Sequence, residues 1–256
     1  MIGEIKNLSY RPWDIKQNSL KMKLIIINIA RYREKDGIAT GLGEDGLVTF
    51  RIPGLYSPKS PFVAFNNLMS IIEPTLTETK GAKHLILKEA QLLFSPMLSE
   101  LDIHYVACMS ILIEATNKLV QDDDKALLYQ DLFNVLLAMK NKINPYLVAL
   151  KYLIKISSIA GFEFNVNRCI RCDGKKDITA FSFQEGGFIC KNCMTPEDIN
   201  DLDIPEMKLF RNTYLHEGYD FTGFAFDEKV VVSLLKKINI FFEDAIGYKI
   251  NTIISL

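Results

Sequence analysis

Cys169-Ile170-Arg171-Cys172 is followed, after 17 intervening residues, by Cys190-Lys191-Asn192-Cys193. A Cys-x-x-Cys turn aims two thiolates at one point. A second such turn, reached through a short hairpin, supplies the other two corners of a tetrahedron. Zn²⁺ prefers this arrangement, and a spacing of about 15–20 residues between pairs is the ribbon pattern. The hairpin is legible between the pairs. Asp173-Gly174-Lys175-Lys176-Asp177 is turn-like, Ile178 to Phe183 alternates apolar and polar, and Gly186-Gly187 turns the chain back. The expectation is one structural Zn²⁺ on Cys169, Cys172, Cys190 and Cys193; a reduced or disulfide-bonded cysteine cluster is the alternative. Four protein ligands close the coordination sphere and leave no position for water or substrate. Four thiolates and one Zn²⁺ carry a net charge of −2. Arg168, Arg171, Lys175, Lys176 and Lys191 stand close enough in sequence to offset it, or to touch phosphate.

The chain of 256 residues allows one large domain or two to three small ones. An apolar fraction of 48% suffices for real cores, and 24% charged residues is ordinary for a soluble protein. A net charge of −1 argues against a wholly basic nucleic-acid coat but leaves room for a local basic face. Residues 1–94 hold 13 Lys/Arg against 9 Asp/Glu, so that segment is positive and the remainder balances it. No apolar stretch approaches a membrane span, and Leu24 to Ala30 is soon followed by Arg31 and Arg33. With no secretory signal at the N-terminus, the expected location is the cytoplasm.

Residues 1–20, with Trp13, read either as a leading strand or as a loose arm. From Met22 the pattern is strand-like. Leu24 to Tyr32, Gly37 to Leu42 and Leu47 to Ile52 are strands, with Gly43-Glu44-Asp45-Gly46 a turn between the last two. Residues 53–61 form a loop, and Phe62 to Ile72 and Ala82 to Phe94 are expected as two further strands. Five short strands without βαβ units suggest a small antiparallel barrel or sandwich. Then the period changes. Leu98, Leu101, Tyr105, Cys108, Leu112, Ala115 and Leu119 recur at spacings of three and four, one face of a long helix. Asp122-Asp123-Asp124 is expected to open the next helix, striped by Leu128, Leu132, Val135 and Met139. Asn144, Pro145 and Gly161 bound a third. Pro205 to Glu217 is a short helix, and Asp227 caps a final one running to Gly247. The cysteine hairpin is therefore an insertion between helices.

The chemical inventory points away from catalysis. Gly41-Leu42-Gly43 lies in a hairpin and lacks the helix and lysine of a phosphate loop. His84, His104 and His216 share no metal-ligand spacing. Glu100 with Asp102, and Asp201 with Asp203, read as solvated acidic pairs near helix ends. No serine has a nucleophile-elbow context.

The order of parts resembles the RecO family of bacterial recombination mediators. Ile159 to Cys172 is similar to the family's junction of leucine-rich helix, Gly-aromatic pair and Cys-x-x-Cys; Phe181 to Cys190 is similar to its Phe-Ser…Gly-Gly…Cys return strand. Tyr32 to Phe62, with Gly54 and Lys59-Ser60, resembles its run of barrel turns. Leu55-Tyr56 stand where members often carry paired basic residues, and the residues before Met22 look like an extension. The resemblance implies an α+β multidomain fold: an OB-fold β-barrel DNA-binding domain over residues 1–94 (1–20 a possible extension), an α-helical domain over 95–256, and a four-cysteine zinc-ribbon hairpin inserted at 165–196. It implies a non-enzymatic, nucleoid-associated protein that binds single- and double-stranded DNA, anneals complementary strands, and works with RecR and the single-strand-binding protein to load RecA at gaps. An OB barrel holds single strands with a basic groove and aromatic platforms. The expected DNA contacts are Lys21, Lys23, Arg31, Arg33, Lys35, Arg51 and Lys59, interleaved with Tyr32, Phe50, Tyr56 and Phe62; Tyr56 is the better stacking residue, and Phe50 and Phe62 read as core. A zinc-containing protein–protein scaffold without annealing activity is the alternative function.

Overall fold

The computed structural model describes residues 22–78, 85–96 and 103–256. Lys21, the segment 1–20, residues 82–84 and 98–102 lie outside the described residues.

Five strands close a barrel: β1 (Leu24–Tyr32), β2 (Asp36–Gly43), β3 (Gly46–Ile52), β4 (Ile71–Thr77) and β5 (Leu85–Phe94), in the order β1-β2-β3-β5-β4. β1 pairs antiparallel with β2 and, at Leu24↔Ile72 and Ile25↔Ile71, with β4. β3 and β5 pair in parallel at Phe50↔Leu85 and Arg51↔Ile86. This is the OB-type closure.

β1 explains how the barrel is held. Its first half, Leu24 to Ile27, is a continuous apolar run and is buried on both faces. Leu24 and Ile26 enter the barrel core with Ala39, Phe50, Ile52 and Leu87. Ile25 and Ile27 face the other way and join Leu42, Met69, Ile71 and Phe94 in the core of the helical body. A register shift at Ile27, between Ile26↔Gly41 and Asn28↔Thr40, bends the strand where it passes between the two cores. Each such side chain contributes about 1.5–3 kcal/mol of burial. Asn117 donates to the Ile27 carbonyl at 3.0 Å and Tyr129 to the Lys23 carbonyl at 3.3 Å, so the seam also satisfies exposed strand-edge groups.

The fourth strand corrects the expected assignment. Phe62 to Ile72 is not a strand. Val63–Phe65 is a short 3-10 turn, Met69 has φ +62°, and pairing starts only at Ile71. Phe62, Phe65 and Leu68 pack on one end of the barrel core instead. The strand runs on through Pro74, which pairs with Ala90; beyond Ile72 no β1 residue pairs with β4, so a missing N–H there costs no ladder bond.

The helical body comprises α1 (Ile103–Lys118), α2 (Tyr129–Lys140), α3 (Pro145–Ile159), α4 (Ile204–Leu215), α5 (Glu228–Ile246) and a short α6 (Asn251–Ile254). Cys108 is fully buried in α1, as its place in the stripe predicts. Asp122–Leu128 is a 3-10 segment rather than the first turn of α2, and the buried Lys125 reaches back to Asp122. Asn144 accepts from the Leu147 N–H, and Gly161 and Gly247 adopt φ +90° and +77° just past the ends of α3 and α5. Asp203 and Glu206 form a capping box on α4. Asp227 is the N-cap of α5, but α5 is not the last helix: Glu114 of α1 accepts from the Asn251 and Thr252 N–H groups and opens α6.

Candidate metal centre and nucleic-acid interface

Between α3 and α4 the chain forms a three-stranded sheet in the order β6 (Asn165–Cys169), β8 (Gly187–Cys190), β7 (Ile178–Ser182). Gly187 lets β6 and β8 approach: a Cβ there would lie 2.5 Å from the Asn165 carbonyl oxygen. Phenylalanines fix the sheet to the helices. Phe181 packs on Phe210 of α4 with ring centroids 5.0 Å apart, and Phe183 stacks on Phe241 of α5 at 5.2 Å. Phe164 contacts both Phe210 and Phe241. The module is embedded in the helical body and is not a free-standing finger.

Cys169 ends β6 and Cys190 ends the adjacent β8, Cys169 pairing with Phe188; each cysteine begins a tight turn that delivers the second cysteine of its pair. All four Sγ atoms lie within 4.8 Å of one another, and Cys172 and Cys190 are 3.7 Å apart. That is far beyond the roughly 2.05 Å of a disulfide. It matches the edge, about 3.8 Å, of a tetrahedron with metal–sulfur arms of about 2.3 Å. The cluster can therefore hold a metal ion. Burial works to raise the Cys169 thiol, but the N–H groups of Cys190, Arg171 and Cys172 outweigh it and bring it down to about 6. Cys193 is pushed up to about 12 by its contacts with Cys172 and Cys190. Backbone dipoles thus favour a first thiolate, and its neighbours resist a second unless a cation shares them.

Arg171 lies between two of these cysteines and is fully engaged. Its Nε donates to Glu185 Oε2 at 2.9 Å, and its Nη2 to Glu185 Oε1 and, at 2.6 Å, to Asp198 Oδ1. Its Nη1 donates to the Cys193 carbonyl at 2.6 Å and to Asp198 Oδ2 at 2.8 Å. Five bonds match the five donors of a guanidinium. Asp198 is held well below the usual carboxylate range, first by Arg171 and then by the Thr195 N–H. Arg168 makes a paired contact with Asp173 at 2.8 and 2.9 Å. The two arginines expected to offset the thiolate charge or meet phosphate are thus committed to carboxylates. Lys175, Lys176 and Lys191 are exposed and have no ion pair among the described residues.

On the barrel the basic residues are disposed differently. Asp36 accepts from Arg51 Nε at 2.9 Å and from the Gly54 N–H at 2.7 Å, and the Lys35 carbonyl accepts from the Tyr56 N–H at 2.9 Å. These bonds tie the β1–β2 turn to the loop after β3. The Gly54 N–H is the largest influence holding the Asp36 carboxyl below its ordinary value; burial opposes it, and Arg51 and Arg33 add to it. The Arg31 guanidinium lies 4.9 Å from the Tyr56 ring centroid; Arg33 and Arg51 lie 5.1 and 5.8 Å from that of Tyr32. Arg31, Arg33, Lys35 and Lys59 are exposed, and Arg51 and Tyr56 are half-buried. The structure gathers these six of the eight expected DNA contacts around one end of β1. It sets Lys23 at the other end, over the Phe133 ring of α2, on the order of 25 Å away along the strand. Lys21 lies outside the described residues. Tyr32, one of the four aromatics expected to interleave the basic residues, lies among them, under Arg33 and Arg51.

Phe50 is fully buried and Phe62 packs on the barrel core, as expected. Asp201 accepts from the Phe183 N–H and Asp203 caps α4, so both serve structure. His104 contacts the Tyr146 hydroxyl, and His216 stacks on Phe221. No helix among the described residues is long and apolar enough to cross a membrane.

An OB-type barrel joined to a helical body, with a four-cysteine ribbon set between two of its helices, defines a small class of multidomain protein. Residues 100–202 match the family described as "Recombination protein O C terminal". The chain is 26% identical over 172 residues to the DNA repair protein RecO of Bacillus cytotoxicus, spanning 66% of this chain and 68% of that one. It is 30% identical over 166 residues to that of Oceanobacillus iheyensis, 63% of each chain. It is 24% identical over 226 residues to that of Halalkalibacterium halodurans, 78% of this chain and 88% of the relative. The chain is thus similar to RecO proteins, and the family match spans α1 to the cysteine ribbon.

Proposed function

We propose that this chain acts in DNA repair as a recombination mediator. It binds single- and double-stranded DNA, anneals complementary strands and, with RecR and the single-strand-binding protein, assists RecA loading at gaps in the RecF pathway. It performs no catalytic step itself. Residues 1–94 are the DNA-binding unit and 95–256 the helical unit, with the zinc hairpin at 165–196. The setting is the cytoplasm, at the nucleoid. The similarity to RecO proteins supports the role, and one observation carries the mechanism: arginine guanidinium groups over the Tyr32 and Tyr56 rings at one end of an OB-type barrel.

Annealing needs two strands held close, with their charge screened and their base edges free. Contacts to phosphate without base readout serve that need. Arg31, Arg33, Lys35 and Lys59 are free to meet phosphates. Arg51 is partly spent on Asp36, so it positions the turn more than it binds. Tyr56 and Tyr32 offer ring faces to unstacked bases. Lys21 and Lys23 extend the basic track. In the ribbon, Cys169, Cys172, Cys190 and Cys193 hold one structural Zn²⁺, which supplies local folding free energy on the order of 10 kcal/mol in small zinc modules.

The test is annealing of complementary oligonucleotides with and without the single-strand-binding protein, alongside a salt titration of DNA affinity. Annealing should occur, and affinity should fall by orders of magnitude between roughly 50 and 200 mM salt. A flat salt response, or no annealing, would leave the protein-only scaffold as the better reading.

A further inference from the structure

Between the cysteine ribbon and α5 lies a cavity of about 690 Å³ that neither the metal centre nor the barrel uses. Its floor is aromatic, with Phe183 stacked on Phe241. Its rim carries two large aliphatic side chains in water: Ile199 is 77% exposed and Ile240 51%. Paired apolar residues on the lip of an open depression mark an interaction surface more than a closed small-molecule site.

The charge around it has one sign. Glu185, Glu197, Asp198, Asp201 and Asp244 line it against a single lysine, Lys237, which is bonded to Glu206. Arg171 offsets part of this from behind, since it holds Glu185 and Asp198. Glu197 and Asp244 have no ion pair among the described residues. A carboxylate rim around an apolar floor repels nucleic acid and acidic polypeptides alike. The grip of Arg171 on two wall residues and on the Cys193 carbonyl makes the wall preformed, which lowers the ordering cost of binding.

We propose that this groove docks a partner protein through a segment in which lysine or arginine flanks an aliphatic side chain: the aliphatic group enters between Ile199, Ile240 and the phenylalanine floor, and the cations meet Glu197 and Asp244. The surface is separate from the barrel face proposed for DNA and does not depend on that assignment.

The full-length chain is titrated by fluorescence anisotropy with three short labelled peptides. One alternates lysine with isoleucine and leucine, one alternates lysine with serine, and one alternates glutamate with isoleucine and leucine. The first should bind at least about tenfold more tightly than the other two, the worth of one buried aliphatic side chain. The double variant Ile240→Ser with Asp244→Lys should weaken it by at least about tenfold, with thermal stability and oligonucleotide affinity unchanged. Both positions are exposed, so the fold should tolerate the changes. Equal binding of the three peptides, preference for the acidic one, or indifference to the double variant overturns the proposal. So does a dimer in sedimentation that the double variant abolishes, because the occupant would then be a second copy of the chain.

Discussion

The barrel and the cysteine ribbon both present arginines, and they use them in opposite ways. In the ribbon, Arg171 spends all five donors on Glu185, Asp198 and the Cys193 carbonyl, and Arg168 is closed on Asp173. On the barrel, Arg31 and Arg33 rest on tyrosine rings and close no ion pair among the described residues, although the Arg33 charge acts on Asp36. A guanidinium closed on carboxylates is structural. One laid on an aromatic face keeps its N–H edge free for phosphate. Counting arginines along the chain would not separate the two regions; counting their free guanidinium donors does.

The largest effect should come from breaking the ribbon at its metal. Cys172→Ser should abolish stoichiometric zinc and melt residues 165–196 locally, read as metal content by elemental analysis and as new protease cleavage in that span. The barrel should keep its oligonucleotide affinity; concurrent loss of DNA binding would mean that the regions are not separable. A smaller effect is expected from Arg171→Gln. All four cysteines remain, but the second turn loses its clamp, so zinc should transfer to a chelator faster with little change in content.

On the barrel, Tyr56→Leu keeps the side chain's packing and removes its ring face. Affinity for single-stranded DNA should drop by roughly five- to tenfold, at the lower end of about 1–3 kcal/mol per stacked base. No change would make Tyr56 a packing residue only. The smallest effect is acid-dependent. The folded-state pKa of Asp36 is depressed, so its contribution is present above the unfolded value of 3.8 and is lost as pH falls through the lower folded value. Asp36→Asn should lower the melting temperature at neutral pH, and the gap from the parent chain should shrink below about pH 4. A gap independent of pH would assign the stabilisation to shape instead of charge.

Local patterns made the two functional ends of the molecule readable. A β-branched apolar run, a short second run and an alternating third, with a Gly-Glu-Asp-Gly turn between the last two, mark β1 to β3, and the double Cys-x-x-Cys marks the metal cluster. What escaped was set by distant partners. β4 contains Pro74, a strand breaker that is harmless only because β1 stops pairing at Ile72. The apolar run from Phe62 looked like a strand because it is rich in Phe, Val and Leu; Phe62, Phe65 and Leu68 pack on the barrel core from a turn instead, and Val63 is exposed. β6 is only five residues long, too short for its Asn-Val-Asn alternation to mark a strand, and it exists by pairing with β8. α6 is capped by Glu114, more than 130 residues earlier in the chain. The commitment of Arg171 needed Glu185 and Asp198 in place, and nothing in Cys-Ile-Arg-Cys announces them.

The measurement that bears most directly on this division is a pair of charge reversals read in one annealing and salt-titration experiment. The first variant converts Arg31, Arg33, Lys35 and Lys59 to Glu; the second converts Lys175, Lys176 and Lys191 to Glu. The barrel variant should lose annealing and most DNA affinity while keeping its melting temperature. The ribbon variant should retain both activities, with a salt slope close to that of the parent chain. Loss of binding in the ribbon variant with the barrel variant unaffected would contradict the account.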